Sequence, residues 1–217
     1  SKAYAQKNTQ IFVLQLEHAF KLIFFLAVPS VIGLILFASP LLATIFQRGA
    51  FLWIDVHQAS LSLIGFALGL PFFMAMKVLV PAFFSRQNTK TPMMIALLSL
   101  LINVILNYLL AFYFGLGHLG LAIASSISAI VSVAILSLLL KNEGLLSFKG
   151  VFSAFSFKVM IASFTLISFL LIFNQYFNFE SFTEIQRLLH LGLAVFSSLL
   201  IYFGLSFLLG IRATDFR

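Results

Sequence analysis

The sequence has no cysteine and very few charged residues. Without cysteine the chain can form neither a disulfide nor a reactive thiolate site, so it gives no information on the redox compartment. Charged residues make up 9% of the chain and hydrophobic residues 62%, whereas soluble domains contain about 25% charged residues. Because so few charges cannot cover a water-exposed surface, we expect an integral membrane protein.

The few charges that are present do not indicate nucleic-acid binding, although the net charge is +7. The basic residues lie between apolar runs and do not follow one face, which is the orientation signal of membrane proteins. The chain opens in a polar stretch, residues 1–8, without an initiator methionine. We therefore expect it to be the C-terminal part of a longer protein.

Six apolar runs are long enough to cross a membrane, which needs roughly 20 mainly apolar residues per helix. Since backbone groups in lipid must be satisfied within the segment, each run is predicted to be a helix. The predicted fold class is all-α, a polytopic membrane protein with six transmembrane helices. Pro29, Pro40 and Pro71 lie inside the runs and predict kinks. The predicted spans are Leu22–Phe46, Val56–Phe84, Met93–Phe114, Leu119–Leu140, Val159–Phe177 and Leu188–Ile211.

The distribution of lysine and arginine between the loops predicts the orientation. Six spans place both ends of the chain on one side, and the loops of the other side offer only Arg48 and Arg187, beside Asp55, Glu180 and Glu184. Both termini are therefore predicted to be cytoplasmic. The basic residues on the predicted cytoplasmic side are Lys2, Lys7, Arg86, Lys90, Lys141, Lys149, Lys158, Arg212 and Arg217.

One connection divides the chain. The stretch 141–158, with its glycines and spaced lysines, is predicted to lie as an amphipathic segment along the cytoplasmic interface. It separates four spans in residues 1–140 from a terminal helix pair in residues 159–217. Small residues four apart, at Gly65–Gly69 and Gly120–Ala124, favour close approach of helices.

The most informative stretch is Lys77–Pro92, in which an apolar run carrying one lysine is predicted to break at Pro81 and turn through a basic loop before Pro92 begins the next run. Lys77 is nine positions before Arg86, roughly 13 Å deeper at 1.5 Å per residue. A lysine at this depth either snorkels to the interface or faces a hydrated cavity that attracts an anionic headgroup such as pyrophosphate. Lys21, at the edge of its span, and Arg86, in the basic loop, are the other candidate residues of this substrate cavity.

A second candidate site is a polar pair inside an apolar span. Asn103 and Asn107 are four residues apart and share one helix face. They either form hydrogen bonds to a neighbouring helix or present oxygen ligands to a small hard cation such as Na⁺. Ser125, with Ser126 and Ser128 beside it, could complete either arrangement.

The sequence contains no constellation that predicts catalysis. Gly115–Gly120 fits the spacing G-x-G-x-x-G, but it follows a membrane helix and lacks the acidic partner of a dinucleotide site, so we expect a tight extracytoplasmic turn. No paired acids and bases stand out, and a membrane enzyme is the least favoured class. The histidines have no spacing typical of a metal site; they are His18, His57, His118 and His190.

Several of these stretches resemble the C-terminal half of bacterial lipid II flippases, the MurJ/MviN branch of the multidrug/oligosaccharidyl-lipid/polysaccharide exporters. Lys77–Pro92 is similar to the family's loop between helices ten and eleven, and the resemblance covers essentially the whole chain. The other matching stretches are Phe24–Ser30, Ile45–Phe51, Asn103–Asn107, Gly117–Ser125 and Ile211–Phe216.

The resemblance implies that the six spans are helices nine to fourteen of a fourteen-helix transporter of the bacterial inner membrane. Members carry lipid II, a precursor linked to undecaprenyl pyrophosphate, by alternating access around a basic cavity, and their last two helices form a groove for the lipid tail. The implied partners of this chain are lipid II, membrane lipids and the missing N-terminal half of the same protein.

This sequence also departs from the family. The best-known cavity arginines lie in helices that precede this chain, and the sodium site of some members has an aspartate where this chain has a second asparagine, at Asn103 and Asn107. The sequence therefore predicts no cofactor and gives only weak support for Na⁺. The alternatives are an exporter of another lipid-linked oligosaccharide or of drugs, and a non-transporting membrane scaffold in which Lys77 only snorkels.

Overall fold

The protein is described by a computed structural model that covers residues 2–147, 154–176, 182–212 and 215, with side chains from residue 9 onward. Within these residues every regular element is helical and no strand is present. The elements are α1 (Lys2–Leu36), α2 (Ala38–Phe46), α3 (Trp53–Phe84), α4 (Lys90–Asn107), a π-helical segment (Tyr108–Tyr113), α5 (Gly117–Asn142), α6 (Ala154–Tyr176) and α7 (Glu184–Leu208).

The predicted number of spans is confirmed, because six helical stretches among the described residues are long and apolar enough to cross a membrane. The chain is thus a multi-pass, all-α membrane protein, as the sequence predicts. The six stretches are Thr9–Leu36, Trp53–Phe84, Lys90–Tyr113, Gly117–Asn142, Ala154–Tyr176 and Glu184–Leu208. Apart from the first stretch, each begins and ends within a few residues of the predicted span.

The first span was predicted wrongly at both of its ends. Helix α1 begins at Lys2, well before Leu22. Leu16, Phe20, Ile23 and Ala27 are buried at spacings of three and four residues, which is the stripe of a helix packed on one face. Polar residues between these positions lower the local hydropathy, so the apolar-run criterion started the span too late.

The prolines have different effects on their helices. The span predicted as Leu22–Phe46 is broken at Phe37, where α1 ends and α2 begins. Pro40 accounts for the break, because it has no N–H for the carbonyl four residues earlier and its ring collides with that carbonyl. At Pro29 and Pro71, by contrast, α1 and α3 continue without interruption.

The predicted break at Pro81 is wrong, because α3 runs through this proline to Phe84. Proline removes only the single hydrogen bond that its own N–H would donate. The next turn is intact, as the N–H of Ser85 donates to the carbonyl oxygen of Pro81 at 2.9 Å. Pro92 lies in the first turn of α4, where a missing N–H has little cost.

The loop after α3 begins with a tight helix ending at Gln87, whose φ is +61°. The N–H of Asn88 donates to the carbonyl of Phe83 at 3.1 Å and that of Gln87 to Phe84 at 2.9 Å, the two bonds of a Schellman motif. Helices α5 and α7 end in the same motif, with Gly144 and Gly210 in the left-handed position. Gln87 is therefore a non-glycine residue in a position that favours glycine.

Small residues bring α3 and α5 together, as their spacing predicts. A Cβ atom on Gly69 would lie 2.4 Å from the Ser126 oxygen, and one on Gly65 would lie 2.9 Å from the Cβ of Ala122. The Ser126 hydroxyl donates to the Gly65 carbonyl at 2.7 Å. This backbone-level contact makes α3 and α5 the rigid centre on which α1 and α4 pack.

Two apolar cores result. The first joins α1, α3, α4 and α5, and it includes Leu146 just after α5. The second joins the terminal helices α6 and α7 to Phe25 of α1 and to Phe37, which lies between α1 and α2. The predicted amphipathic stretch 141–158 lies partly outside the described residues. In its described parts α5 ends at Asn142, Leu146 is buried, and residues 154–158 already belong to α6.

Candidate functional site

An apolar groove of about 520 Å³ lies between α1 and the terminal helices. Its walls come from α1, α2, α6 and α7, and Leu70 of α3 reaches into it. The lining is almost entirely hydrocarbon, so the groove can hold an apolar chain but has no charge with which to hold a polar headgroup. Residues that line it include Leu26, Pro29, Gly33, Leu166, Leu199 and Tyr202.

Lys77 lies on the face of α3 that points away from the core. Its neighbours Ala75 and Leu79 are buried, at 4% and 0% exposure, whereas Lys77 is exposed and forms no hydrogen bond or ion pair with any described residue. An unpaired lysine inside a span either snorkels or serves a polar ligand.

Lys77 shares its helix face with the groove. Leu70 and Lys77 are seven residues apart, which is two helical turns, so their side chains project in nearly the same direction. The rise between them is about 10 Å. A molecule with an anionic head and an apolar tail could therefore contact the lysine and the groove at once.

Lys21 and Arg86, the other two candidate cavity residues, are each paired within the chain. Lys21 lies 3.9 Å from a carboxylate oxygen of Glu17 one turn earlier on α1. Arg86 forms an ion pair with Glu143, which joins the loop after α3 to the end of α5. No described contact brings Lys21, Lys77 and Arg86 together, so Lys77 is the cation among them that has no partner.

The asparagine pair forms a hydrogen-bonded network with α5. The Asn107 amide donates to Asn103 Oδ1 at 2.9 Å, and the Asn103 amide donates to the Ser125 hydroxyl at 3.3 Å. Ser125 in turn donates to the carbonyl of Leu121 at 3.0 Å. Asn107 Oδ1 is the one oxygen of the pair that is buried without a partner, so a single ligand oxygen is available here.

The serines next in sequence do not join this network. Ser126 donates to Gly65 on α3, and Ser128 donates to the carbonyl of Ala124 at 2.8 Å on its own helix. Within the described residues neither hydroxyl is hydrogen-bonded to Asn103 or Asn107.

Immediately after Asn107 the helix changes to a π-helical turn, which the sequence analysis missed. This segment, Tyr108–Tyr113, packs so closely on α5 that a Cβ on Gly120 would lie 2.7 Å from backbone atoms of Leu110 and Ala111. The turn between this segment and α5 is tight, as predicted, with Gly115 and Gly117 at φ +68° and +53°. Gly120 thus belongs to helix packing and not to a nucleotide-binding loop.

A second cavity, of about 330 Å³, lies at the end of the molecule where α2, α3 and α7 meet. Arg187, in the first turn of α7, is only 8% exposed. It donates a hydrogen bond to Gln47, and its guanidinium carbon lies 5.1 Å from the centre of the Trp53 ring. The sequence predicts Arg187 to be a loop charge, and nothing local in the sequence distinguishes it from Arg48, which is exposed in an ion pair with Glu184.

Among the described residues, no three histidine, aspartate or glutamate side chains approach closely enough to hold a metal ion. His190 is instead packed against Phe182, with ring centres 4.5 Å apart. The candidate functional features of the described residues are therefore the apolar groove, the unpaired Lys77 and the hydrogen-bonded contact of Asn103 and Asn107 with α5.

The family described as lipid II flippase MurJ matches residues 1–146. A probable lipid II flippase of Vibrio cholerae is 37% identical over 136 residues, which cover 63% of this chain and 26% of that protein. The corresponding protein of Haemophilus influenzae is 34% identical over 88% of this chain and 37% of its own length.

A solved structure of a lipid II flippase in an inward closed conformation superposes with a TM-score of 0.70 and 27% identity. It covers 90% of this chain, which in turn covers 38% of that structure. The chain thus spans less than two fifths of the length of each of these relatives. The family match extends over more than half of the chain, and the chain belongs to the lipid II flippase MurJ family.

Proposed function

We propose that this chain is the C-terminal part of a transporter that moves lipid II from the cytoplasmic to the periplasmic leaflet of the bacterial inner membrane by alternating access. The observation that carries the proposal is the position of Lys77 on the same face of α3 as Leu70, which lines the apolar groove. Together they match a ligand with an anionic head and a long apolar tail.

Lys77 and the groove differ in chemistry, so each binds a different part of the ligand. Lys77 attracts the pyrophosphate, because an ammonium group in a low-dielectric environment interacts strongly with a multiply charged anion. The groove between α1 and the terminal pair, 159–217, holds part of the polyprenyl chain, and the four spans in residues 1–140 form the lobe that moves. In this proposal both termini of the chain are cytoplasmic, and so are the end of α5 at Asn142 and the start of α6 at Ala154.

The test uses the full-length protein in cells depleted of their own flippase, and it measures how much lipid II is accessible at the periplasmic face. Lys77→Met keeps the length of the side chain and removes the charge, and Lys77→Arg keeps the charge. Lys141→Met, at the exposed end of α5, is the matched control. We expect wild type, Lys77→Arg and the control to restore accessible lipid II, and Lys77→Met to lower it about tenfold, the value of one lost charge-assisted hydrogen bond.

The other outcomes separate the alternatives. Restoration by all variants would retain the flippase and reduce Lys77 to a snorkelling lysine. Failure of the wild type, when it is present in the membrane, would favour export of another lipid-linked oligosaccharide or of drugs. A scaffold is tested separately with Lys77→Cys, the only thiol in this chain, which should react with a water-soluble thiol reagent in a transporter and stay inert in a scaffold.

A further inference from the structure

The hydroxyl of Tyr202 on α7 donates a hydrogen bond of 2.6 Å to the backbone carbonyl of Phe25 on α1. Phe25 is four residues before Pro29. In an α-helix the N–H of a residue donates to the carbonyl four residues earlier, and proline has no N–H. The one carbonyl that Pro29 leaves without its helical donor is therefore the one that Tyr202 reaches.

The surroundings exclude water as a substitute donor. Tyr202 is 2% exposed and Phe25 is 7% exposed. Their rings are 5.2 Å apart, and Phe203 lies 5.8 Å from Phe25. A buried carbonyl without a donor is costly, so the hydroxyl has no equivalent replacement at this position.

Tyr202 and Pro29 also both line the apolar groove. We propose that Tyr202 is a positioning residue, whose hydroxyl takes the place of the N–H that Pro29 lacks and so fixes the distance between α1 and α7. This hydrogen bond then sets the width of the groove together with the packing of the Phe25 ring on Tyr202 and Phe203. Only the identity of the occupant, a polyprenyl chain, rests on the proposed function.

The two roles of the bond, satisfaction of the carbonyl and attachment of α7, are separable by mutation. Tyr202→Phe removes both. Pro29→Ala restores an N–H at position 29 that donates to the Phe25 carbonyl within α1. In the double variant the carbonyl is satisfied again, but the hydrogen bond between α7 and α1 is still absent.

The experiment combines the melting midpoint of the purified full-length protein with distances between spin labels at Ser30→Cys on α1 and Leu199→Cys on α7, two exposed groove residues. Tyr202→Phe should lower the midpoint by about 2–6 °C, and it should shift the label distances to longer and broader values. Adding Pro29→Ala should recover most of the midpoint and leave the distances broad. Tyr108→Phe, at an exposed tyrosine, is the control that should change neither.

Two results would overturn the proposal: additive effects of Tyr202→Phe and Pro29→Ala on the midpoint, or label distances that Tyr202→Phe leaves unchanged. Neither readout involves lipid II. A failure of the proposed transport function therefore leaves this test intact, and a failure here leaves the transport proposal intact.

Discussion

The guanidinium carbon of Arg187 lies 5.1 Å from the centre of the Trp53 ring. The same side chain donates a hydrogen bond to Gln47, so the first turn of α7 is attached to both ends of the connection between α2 and α3. A desolvated cation–π contact contributes about 2 kcal/mol, whereas exposed ion pairs contribute about 0–1 kcal/mol. The buried arginine, more than the exposed pair of Arg48 and Glu184, holds the terminal helices at this end.

Replacing Arg187 should therefore destabilise the protein far more than replacing Arg48. We expect Arg187→Ala to lower the free energy of unfolding by about 2–4 kcal/mol, through loss of the ring contact and of the bond to Gln47. Arg48→Ala should change it by less than about 1 kcal/mol, because the ion pair is exposed to solvent. Thermal denaturation of the purified protein measures both, and equal losses in the two variants would contradict this assignment.

Arg187 also shows where prediction from the sequence stops. Its partners Gln47 and Trp53 are more than 130 positions away in the chain, so no local pattern separates it from a loop arginine. The six spans could be predicted because burial in lipid requires long apolar runs. The first turns of α1 could not be predicted in this way. In the described residues between Thr9 and Lys21 the helix buries one face only, and its composition is mixed.

The polar and small-residue contacts also differ in whether a local sequence pattern predicts them. The close approach of α3 and α5 follows from Gly65 and Gly69, whose spacing is a local signal. The hydrogen bond from Tyr202 to Phe25 depends on α7 packing against α1, so the sequence indicates the unsatisfied carbonyl before Pro29 but not its donor. The ion pair of Arg86 with Glu143 also depends on the packing of distant parts of the chain, so no local pattern predicts it.

Gly120 should be among the least replaceable residues of the chain. A Cβ at this position would meet backbone atoms of Leu110 and Ala111 at 2.7 Å, and backbone cannot move aside as a flexible side chain can. We expect Gly120→Ala to cost about 1–3 kcal/mol by overpacking. Gly204→Ala on α7 is the control: nothing lies within 4 Å of its Cβ position, so the better helix propensity of alanine should make it neutral or slightly stabilising. Both are read from the melting midpoint.

Replacing Gln87 by glycine should increase the stability of the protein. It occupies the left-handed position that ends α3, with φ +61°, where glycine avoids the strain of a Cβ. Gln87→Gly is expected to stabilise the protein by up to about 1 kcal/mol and Gln87→Val to destabilise it by more, since β-branched residues tolerate this conformation worst. A lower melting midpoint for Gln87→Gly would show that the glutamine side chain itself is needed at this loop.

The asparagine pair supports a prediction about sodium. Asn103 Oδ1 already accepts from Asn107, and Ser125 accepts from Asn103, so the groups satisfy one another and leave only Asn107 Oδ1 for a ligand. Hard cations in proteins are held by several oxygen atoms. We therefore expect the melting midpoint to be the same in sodium and in choline chloride at equal ionic strength.

Substitutions at the same pair distinguish a hydrogen-bonded contact from a cation site. Asn107→Leu alone should cost about 1 kcal/mol, because it leaves the part-buried Asn103 Oδ1 without a donor, whereas the double variant Asn103→Leu/Asn107→Leu should be close to neutral, since both partners are then apolar. A bound cation would give a different pattern: sodium at a hundredfold excess over its Kd would raise the free energy of unfolding of the wild type by about 2.7 kcal/mol, and its melting midpoint would rise accordingly. The single and the double variant would both lose that increase. The salt series on the wild type and both variants therefore decides whether this polar pair holds two helices together or holds an ion.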